Sequence, residues 1–205
     1  MSARRAPRHS AAAGHLREIS QQLRTGVSLL SQLLGTPEKS GQDIGEELQA
    51  LDVSTMNLHF ALMTHIRSVF LTPLPREDIY MMSQQLNRTM EHIVAAGDLL
   101  IARNHLKLPT YSWTIVETLS RQIDLTMEAL SRLDELDHLE EYWIQVQRLA
   151  KQANHAYRDW LTSTDDSFQP NIALQQTHVA QAMLAAVEAQ RTLAITAGAI
   201  LVRES

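Results

Sequence analysis

Glu135-Leu-Asp-His138 is the arrangement with the most chemistry in its spacing, because it sets a carboxylate and an imidazole one helical turn apart. In di-iron helical bundles that spacing ligates metal, but the site needs two such pairs and two further glutamates. A second pair is missing, and this one falls where one helix gives way to the next, so di-iron chemistry is not expected. His105-Leu-Lys107 has a histidine followed closely by a lysine, as phosphotransfer helices do. The lysine spacing is wrong and Pro109 follows too soon, so a solvated helix end is the better account. His59, His65 and His92 fall near an apolar seam, where a hydrogen-bonded core histidine is commoner than a metal ligand. Gln175, Gln176, Gln181 and Gln190 set amides along the last apolar pattern, either as surface and inter-helix hydrogen bonds or as a partner groove. The chain holds no cysteine, which excludes disulfides, thiolate nucleophiles and cysteine-based zinc or iron–sulfur sites. There is no phosphate-cradling glycine loop and no serine–histidine nucleophile arrangement. No catalytic residue is assigned, and the chain is expected not to be an enzyme.

Long helices must position whatever these residues do. Leu16, Ile19, Leu23, Val27, Leu30 and Leu34 recur at helical spacing and define a first helix, which Gly35-Thr-Pro37 ends. A second helix runs from about Gln42 to Leu71 and a third from about Arg76 to Leu106. A fourth carries Trp113 to Leu133, a fifth Leu139 to Trp160, and a sixth Ile172 to Ile200. Between the second and third lies Phe70-Leu-Thr-Pro-Leu-Pro-Arg-Glu-Asp-Ile79. Pro73 and Pro75 break the helix there, Pro75 suits the position that opens the next one, and Glu77 and Asp78 face the positive end of its dipole. Strand signals are weak throughout. Helices of about 30 residues are about 45 Å long and are covered only by partners of similar length. An all-α bundle of six long antiparallel helices is expected, as two three-helix units side by side. The units are drawn at residues 13–108 and 109–205 of one compact domain, after a basic flexible tail at 1–12. The order of elements repeats between the two halves, with the break near Leu108-Pro-Thr110.

Composition narrows the function classes. Apolar residues make up 44% and charged residues 20%, the balance of a soluble globular protein. The net charge of -5, with no basic stripe interleaved with aromatics, argues against nucleic-acid binding. No run reads as a transmembrane segment. The tail carries Arg4, Arg5 and Arg8 and lacks the apolar core of a secretory signal. Three arginines contribute only about 3 kcal/mol at an anionic membrane surface, which leaves peripheral association marginal.

The corner motif, with Phe70, Thr72, Pro73, Arg76, Glu77, Asp78 and Ile79, resembles that of the PhoU-like superfamily, in particular the branch encoded beside Pit-type phosphate permeases. The helical layout is similar from about Leu16 to Arg203. The resemblance implies carboxylate clusters on the second and third helix of each unit, where such proteins bind multinuclear metal centres through oxygen. Those positions fall here at Asp52 and Met56, and at Asn87, Arg88 and Glu91. In the second unit they fall at Ala150, Gln152 and Asn154, and at Leu184, Ala185 and Glu188. Asp52, Glu91 and Glu188 are the residual acidic positions. A site so thinned, with an arginine added, is expected to hold no metal and no cofactor.

What the resemblance then implies is a non-catalytic regulator or accessory protein of inorganic phosphate transport. It would act by contact with a phosphate permease, in the cytoplasm or at the inner membrane face, with homo-oligomers possible. Arg76 is expected to pair with carboxylates on a neighbouring helix while Glu77 and Asp78 cap the third. Two alternatives stay open: a metal-binding phosphate sensor built on Asp52, Glu91, Glu188 and nearby histidines, and a helical adaptor unrelated to phosphate.

Overall fold

Six helices make up the computed structural model, which describes residues 11–35, 41–70, 72, 74–102, 106–132, 136–163 and 170–204. They are α1 (Ala11–Gly35), α2 (Gly41–Ser68), α3 (Arg76–Ala102), α4 (Tyr111–Ser131), α5 (Leu136–Thr162) and α6 (Pro170–Glu204), and no strand occurs among the described residues. Residues 1–10, which hold the basic tail, lie outside the described residues, as do Pro37, Leu71, Pro73, His105, Leu133 and Glu135. Helix α1 is already under way at Ala11, and Ala12 is in the core.

The bundle follows from which faces are apolar. Leu16, Ile19, Leu23 and Leu30 are buried from α1, Leu48 and Leu62 from α2, and Met82, Leu86, Met90 and Ile93 from α3. Each set lies on one stripe, and burying it against a partner helix is the main stabilising term. Helices α1, α2 and α3 all pack on one another, and so do α4, α5 and α6. The two sets are joined along α1 with α4 and, most extensively, α3 with α6. Helices α2 and α5 take no part in that seam and lie on opposite flanks. The expected pair of three-helix units is the arrangement observed.

Helix α6 touches α3, α4 and α5, and its buried residues are correspondingly spread round it. With a mean hydropathy of 1.2 over its best window, it is long and apolar enough to cross a membrane by length and composition. No transmembrane run is expected from the sequence, and burial within the bundle accounts for this helix. The physical account is three-sided burial: Val179, Ala180, Met183, Ala186, Leu193 and Ala197 meet neighbouring helices, and small alanines let those helices approach.

Close approach also explains one glycine. At Gly97 a Cβ would stand 2.5 Å from Leu48 Cδ1, a fully buried side chain, so the α2–α3 crossing is built round its absence. The two tryptophans placed on the apolar stripes of α4 and α5 are instead at the rim. Trp113 is 46% exposed beside Gly35, and Trp143 is 40% exposed over Gly198. Period alone does not separate a core position from an edge that covers a glycine.

A polar chain crosses the seam between the units. Gln190 on α6 is fully buried; its Nε2 donates to Thr89 Oγ1 on α3 at 3.0 Å, and its Oε1 accepts from Thr126 Oγ1 on α4 at 2.8 Å. Thr126 in turn lies 3.0 Å from the Tyr142 hydroxyl on α5. Burial pushes the Tyr142 hydroxyl well above its ordinary value, so it keeps its proton and donates. Four helices are thereby held in one register by groups that are costly to leave unpaired.

Candidate functional site

The residual acidic positions lie on two equivalent seams, α2–α3 in the first unit and α5–α6 in the second. On α2, Asp52 is half-buried. Burial, with the nearby Asp98 carboxylate as a second cause, holds its carboxyl above the usual carboxylate range. Asp98 accepts from Gln49 Nε2 at 3.0 and 3.2 Å, so an amide rather than a cation answers it. Further along, His59 is 8% exposed and its Nδ1 lies 2.5 Å from Ser83 Oγ on α3. Glu91 is exposed, with Oε1 accepting from Asn87 Nδ2 at 2.7 Å. The Thr55 hydroxyl and Asn87 Oδ1 are buried in this seam without a hydrogen-bond partner.

The second seam is closed differently. Glu188 Oε1 accepts from Asn154 Nδ2 at 2.6 Å, and Oε2 lies 3.3 Å from the Arg191 guanidinium. Arg191 Nε also donates to Gln147 Oε1 at 2.8 Å. A guanidinium thus sits where a cation would be needed to balance the carboxylate.

A multinuclear metal centre needs several oxygen donors converging on each ion. Among the described residues no three histidine, aspartate or glutamate side chains converge in that way. Glu188 is already matched by Asn154 and Arg191, and Glu91 by Asn87, so these residues do not fit such a centre. The open groove beside Ser31, Trp113, Arg121, Asp124 and Gln152 sets Arg121 among Glu117 and Asp124, and Asp124 is ion-paired with Arg24 at 3.4 Å.

The corner residues act on the fold. Thr72 Oγ1 donates to the Leu74 carbonyl at 2.6 Å, and Arg76 Nη2 donates to the Val69 carbonyl at 2.5 Å. The Arg76 guanidinium therefore turns back to the frayed end of α2 rather than across to a carboxylate, because orphan helix-end carbonyls lie within its reach. Glu77 is exposed in the first turn of α3. Asp78 is buried and takes the ion pair instead, with Arg203 in the last turn of α6. Sequence reasoning placed Asp78 on the helix dipole but missed Arg203, which is 125 residues distant in the chain.

The histidines divide. His59 is the hydrogen-bonded core histidine its position suggested. His65 meets the ring of His15 edge-on, with centroids 6.0 Å apart. His138 Nε2 accepts from Arg132 at 2.7 Å. Of the glutamines, Gln176 donates to the Lys107 carbonyl in the α3–α4 connection at 2.7 Å, and Gln190 anchors the seam. These two serve the fold, and Gln181 is exposed.

Burial lowers His59 and His92 below 6.5, with Glu91 opposing it in both. A base whose folded value is depressed contributes stability that is full above its unfolded value and is lost as pH falls through the folded one. Stability is therefore expected to decline as pH drops below about 6.5, in the window where these imidazoles are forced to charge. Proton titration of the two ring signals by NMR, alongside urea melts from pH 7.5 to 5, checks this. Midpoints at or above the free-histidine value would overturn it.

Six helices in two mutually packed sets of three, with polar seams between the second and third helix of each, define the architecture. It matches a PhoU-like protein from Shewanella oneidensis with a TM-score of 0.77 over 93% of this chain and 99% of that one, at 15% identity. The fold is PhoU-like. A second Shewanella oneidensis protein, named as PhoU-like and phosphate-regulatory, gives 0.72 over 94% and 99% at 14% identity. PhoU from Pseudomonas aeruginosa gives 0.70 over 95% and 97% at 13% identity. No family model and no curated protein matches the sequence. The PhoU-like fold is thus shared with few identical residues.

Proposed function

We propose that this chain is a non-catalytic regulator of inorganic phosphate transport that works through contact with a phosphate permease. The observation that carries the reading is the end-to-end likeness to PhoU-like proteins, one of them named as phosphate-regulatory, over more than nine-tenths of both chains. The α2–α3 and α5–α6 seams support the non-catalytic part: Glu91, Asp98 and Glu188 are already answered by amides or a guanidinium. What remains to do work is surface, in the long outer faces of helices whose relative angle the corner at Thr72, Arg76, Glu77 and Asp78 maintains. The basic tail adds a weak attraction to the anionic cytoplasmic leaflet where the permease resides.

Co-expression with a permease, followed by affinity purification in detergents that keep the transporter folded, tests the proposal. Recovery of the permease in defined stoichiometry is the expected result, and failure to recover it across such detergents would overturn the contact mechanism. Protein purified without chelator is expected to carry no stoichiometric iron, zinc or nickel by elemental analysis. One or more equivalents of any of these per chain would instead favour the metal-binding sensor.

A further inference from the structure

We infer that the corner end of the bundle docks on an anionic bilayer, setting Phe70 and Val202 into its headgroup layer. Among the described residues these are the two most exposed large apolar side chains, at 94% and 81%. A chain of contacts brings them to one end. Arg76 Nη2 donates to the carbonyl of Val69, the neighbour of Phe70. Two residues further on, Asp78 pairs with Arg203, the neighbour of Val202. Phe70 stands just past the end of α2 and Val202 in the last turn of α6, so a flat layer approached end-on meets both. Exposed apolar groups of this size mark an interaction site. Isolated tips at helix ends suit a fluid, flat layer better than a protein groove, which takes a continuous stripe.

Charge selects the occupant. His65, in the last turn of α2, meets the ring of His15, so α1 begins at this same end. The residues before Ala11 carry Arg4, Arg5 and Arg8 and no carboxylate. Ten residues span at most about 35 Å, which keeps these arginines near the end from which they leave. The exposed Arg67 and Arg76 join them. Against them stand the exposed Glu77 and Glu18, the latter 3.4 Å from His15. The exposed Asp137, Glu140 and Glu141 open α5 on the flank opposite α2, and their repulsion tilts the α2 side toward the lipid. Asp43, Glu46 and Glu47 are exposed at the start of α2, so charge along that helix runs from acidic to basic. A chain of net charge -5 is thereby drawn to anionic lipid by one end only. Arginines alone give marginal binding, and stable anchoring takes an apolar and a basic signal together. Both are present here. The docking does not depend on the permease reading.

Flotation with protein-free vesicles tests this, using phosphatidylcholine alone or with roughly one-third phosphatidylglycerol. The chain is expected to float with the anionic vesicles, at least about tenfold more strongly than with the neutral ones, and to be released by high salt. Phe70→Ser should weaken partitioning at least about tenfold, with helical circular dichroism and melting temperature unchanged because the side chain is in solvent. Phe70→Trp should keep the binding, and its emission, read against the three native tryptophans, should shift to the blue and be quenched by brominated lipid. Replacing Arg4, Arg5 and Arg8 together by glutamine should also cost at least about tenfold. Leu174→Ser, at an exposed apolar side chain near the other end of α6, should change nothing. Absence of flotation, equal flotation with both lipids, or a Phe70→Ser variant that floats like the parent would overturn the inference. So would a chain that ignores anionic vesicles but loses a co-expressed permease on Phe70→Ser, which would assign this end to a protein contact. Failure to recover a permease, with vesicle binding intact, would overturn only the contact mechanism.

Discussion

Replacing Gln190 by alanine is expected to destabilise the fold by about 3 kcal/mol, combining a cavity with two lost buried hydrogen bonds. The side chain is fully buried and joins Thr89 on α3 to Thr126 on α4. Both threonines retain a second partner within their own helix, since Thr89 Oγ1 reaches the Gln85 carbonyl at 2.8 Å and Thr126 Oγ1 the Gln122 carbonyl at 2.9 Å. Removing the amide therefore does not strand either hydroxyl. It follows that Gln190→Met, which fills most of the space, should cost only about 1 kcal/mol, and the gap between the two variants measures the cavity. Urea denaturation of both checks this. At about 2–4 °C per kcal/mol for a chain of this size, the alanine variant should melt roughly 6–12 °C lower. Equal costs would show that the polar chain, rather than the packing, holds the units in register.

The second large effect concerns the clamp between Asp78 and Arg203, which ties the start of α3 to the end of α6. The two ends differ in exposure: the Asp78 side chain is 7% exposed and that of Arg203 is 50% exposed. Deleting the arginine leaves a nearly buried carboxylate without its cation, whereas deleting the carboxylate releases the arginine to water. Arg203→Met is therefore expected to cost about 2–3 kcal/mol, and Asp78→Asn somewhat less, about 1–2 kcal/mol, because the amide keeps the shape and part of the bonding. The double variant should cost less than the sum, since the buried charge that made the single arginine deletion expensive is gone. Amide exchange should quicken in the last turns of α6 and the first turn of α3 together. Exchange confined to one helix, or strict additivity, would count against a clamp.

Much of the architecture was readable in the sequence for a simple reason. The 3.6-residue period of Leu16 to Leu30, or of Met82 to Ile93, is a property of neighbouring residues, and an apolar stripe of that length has few ways to be covered. The corner was readable because prolines and first-turn acids act within a few residues. Trp113 and Trp143 show the limit: they keep the period, yet they end at the rim, Trp143 closely over Gly198 and Trp113 beside Gly35, glycines far away in sequence.

The candidate site was readable only as a thinning of carboxylates at Asp52, Glu91 and Glu188. Sequence alone determined the helices, their order, the corner, and the absence of any cysteine chemistry, since all of these are local or compositional. Tertiary structure decided how the leftover polar groups are answered. Asn154 on α5 closes on Glu188 and Arg203 on Asp78, while Arg76 turns to a carbonyl; Asn87–Glu91 and Arg191–Glu188 are one-turn pairs within their own helices. It also decided that Gln190 is an anchor at the seam. A partner in a charge pair or a buried amide bond is chosen by which helices meet and in what register. The Gln190–Thr89 and Arg203–Asp78 contacts join residues more than a hundred positions apart, and no local pattern specifies them.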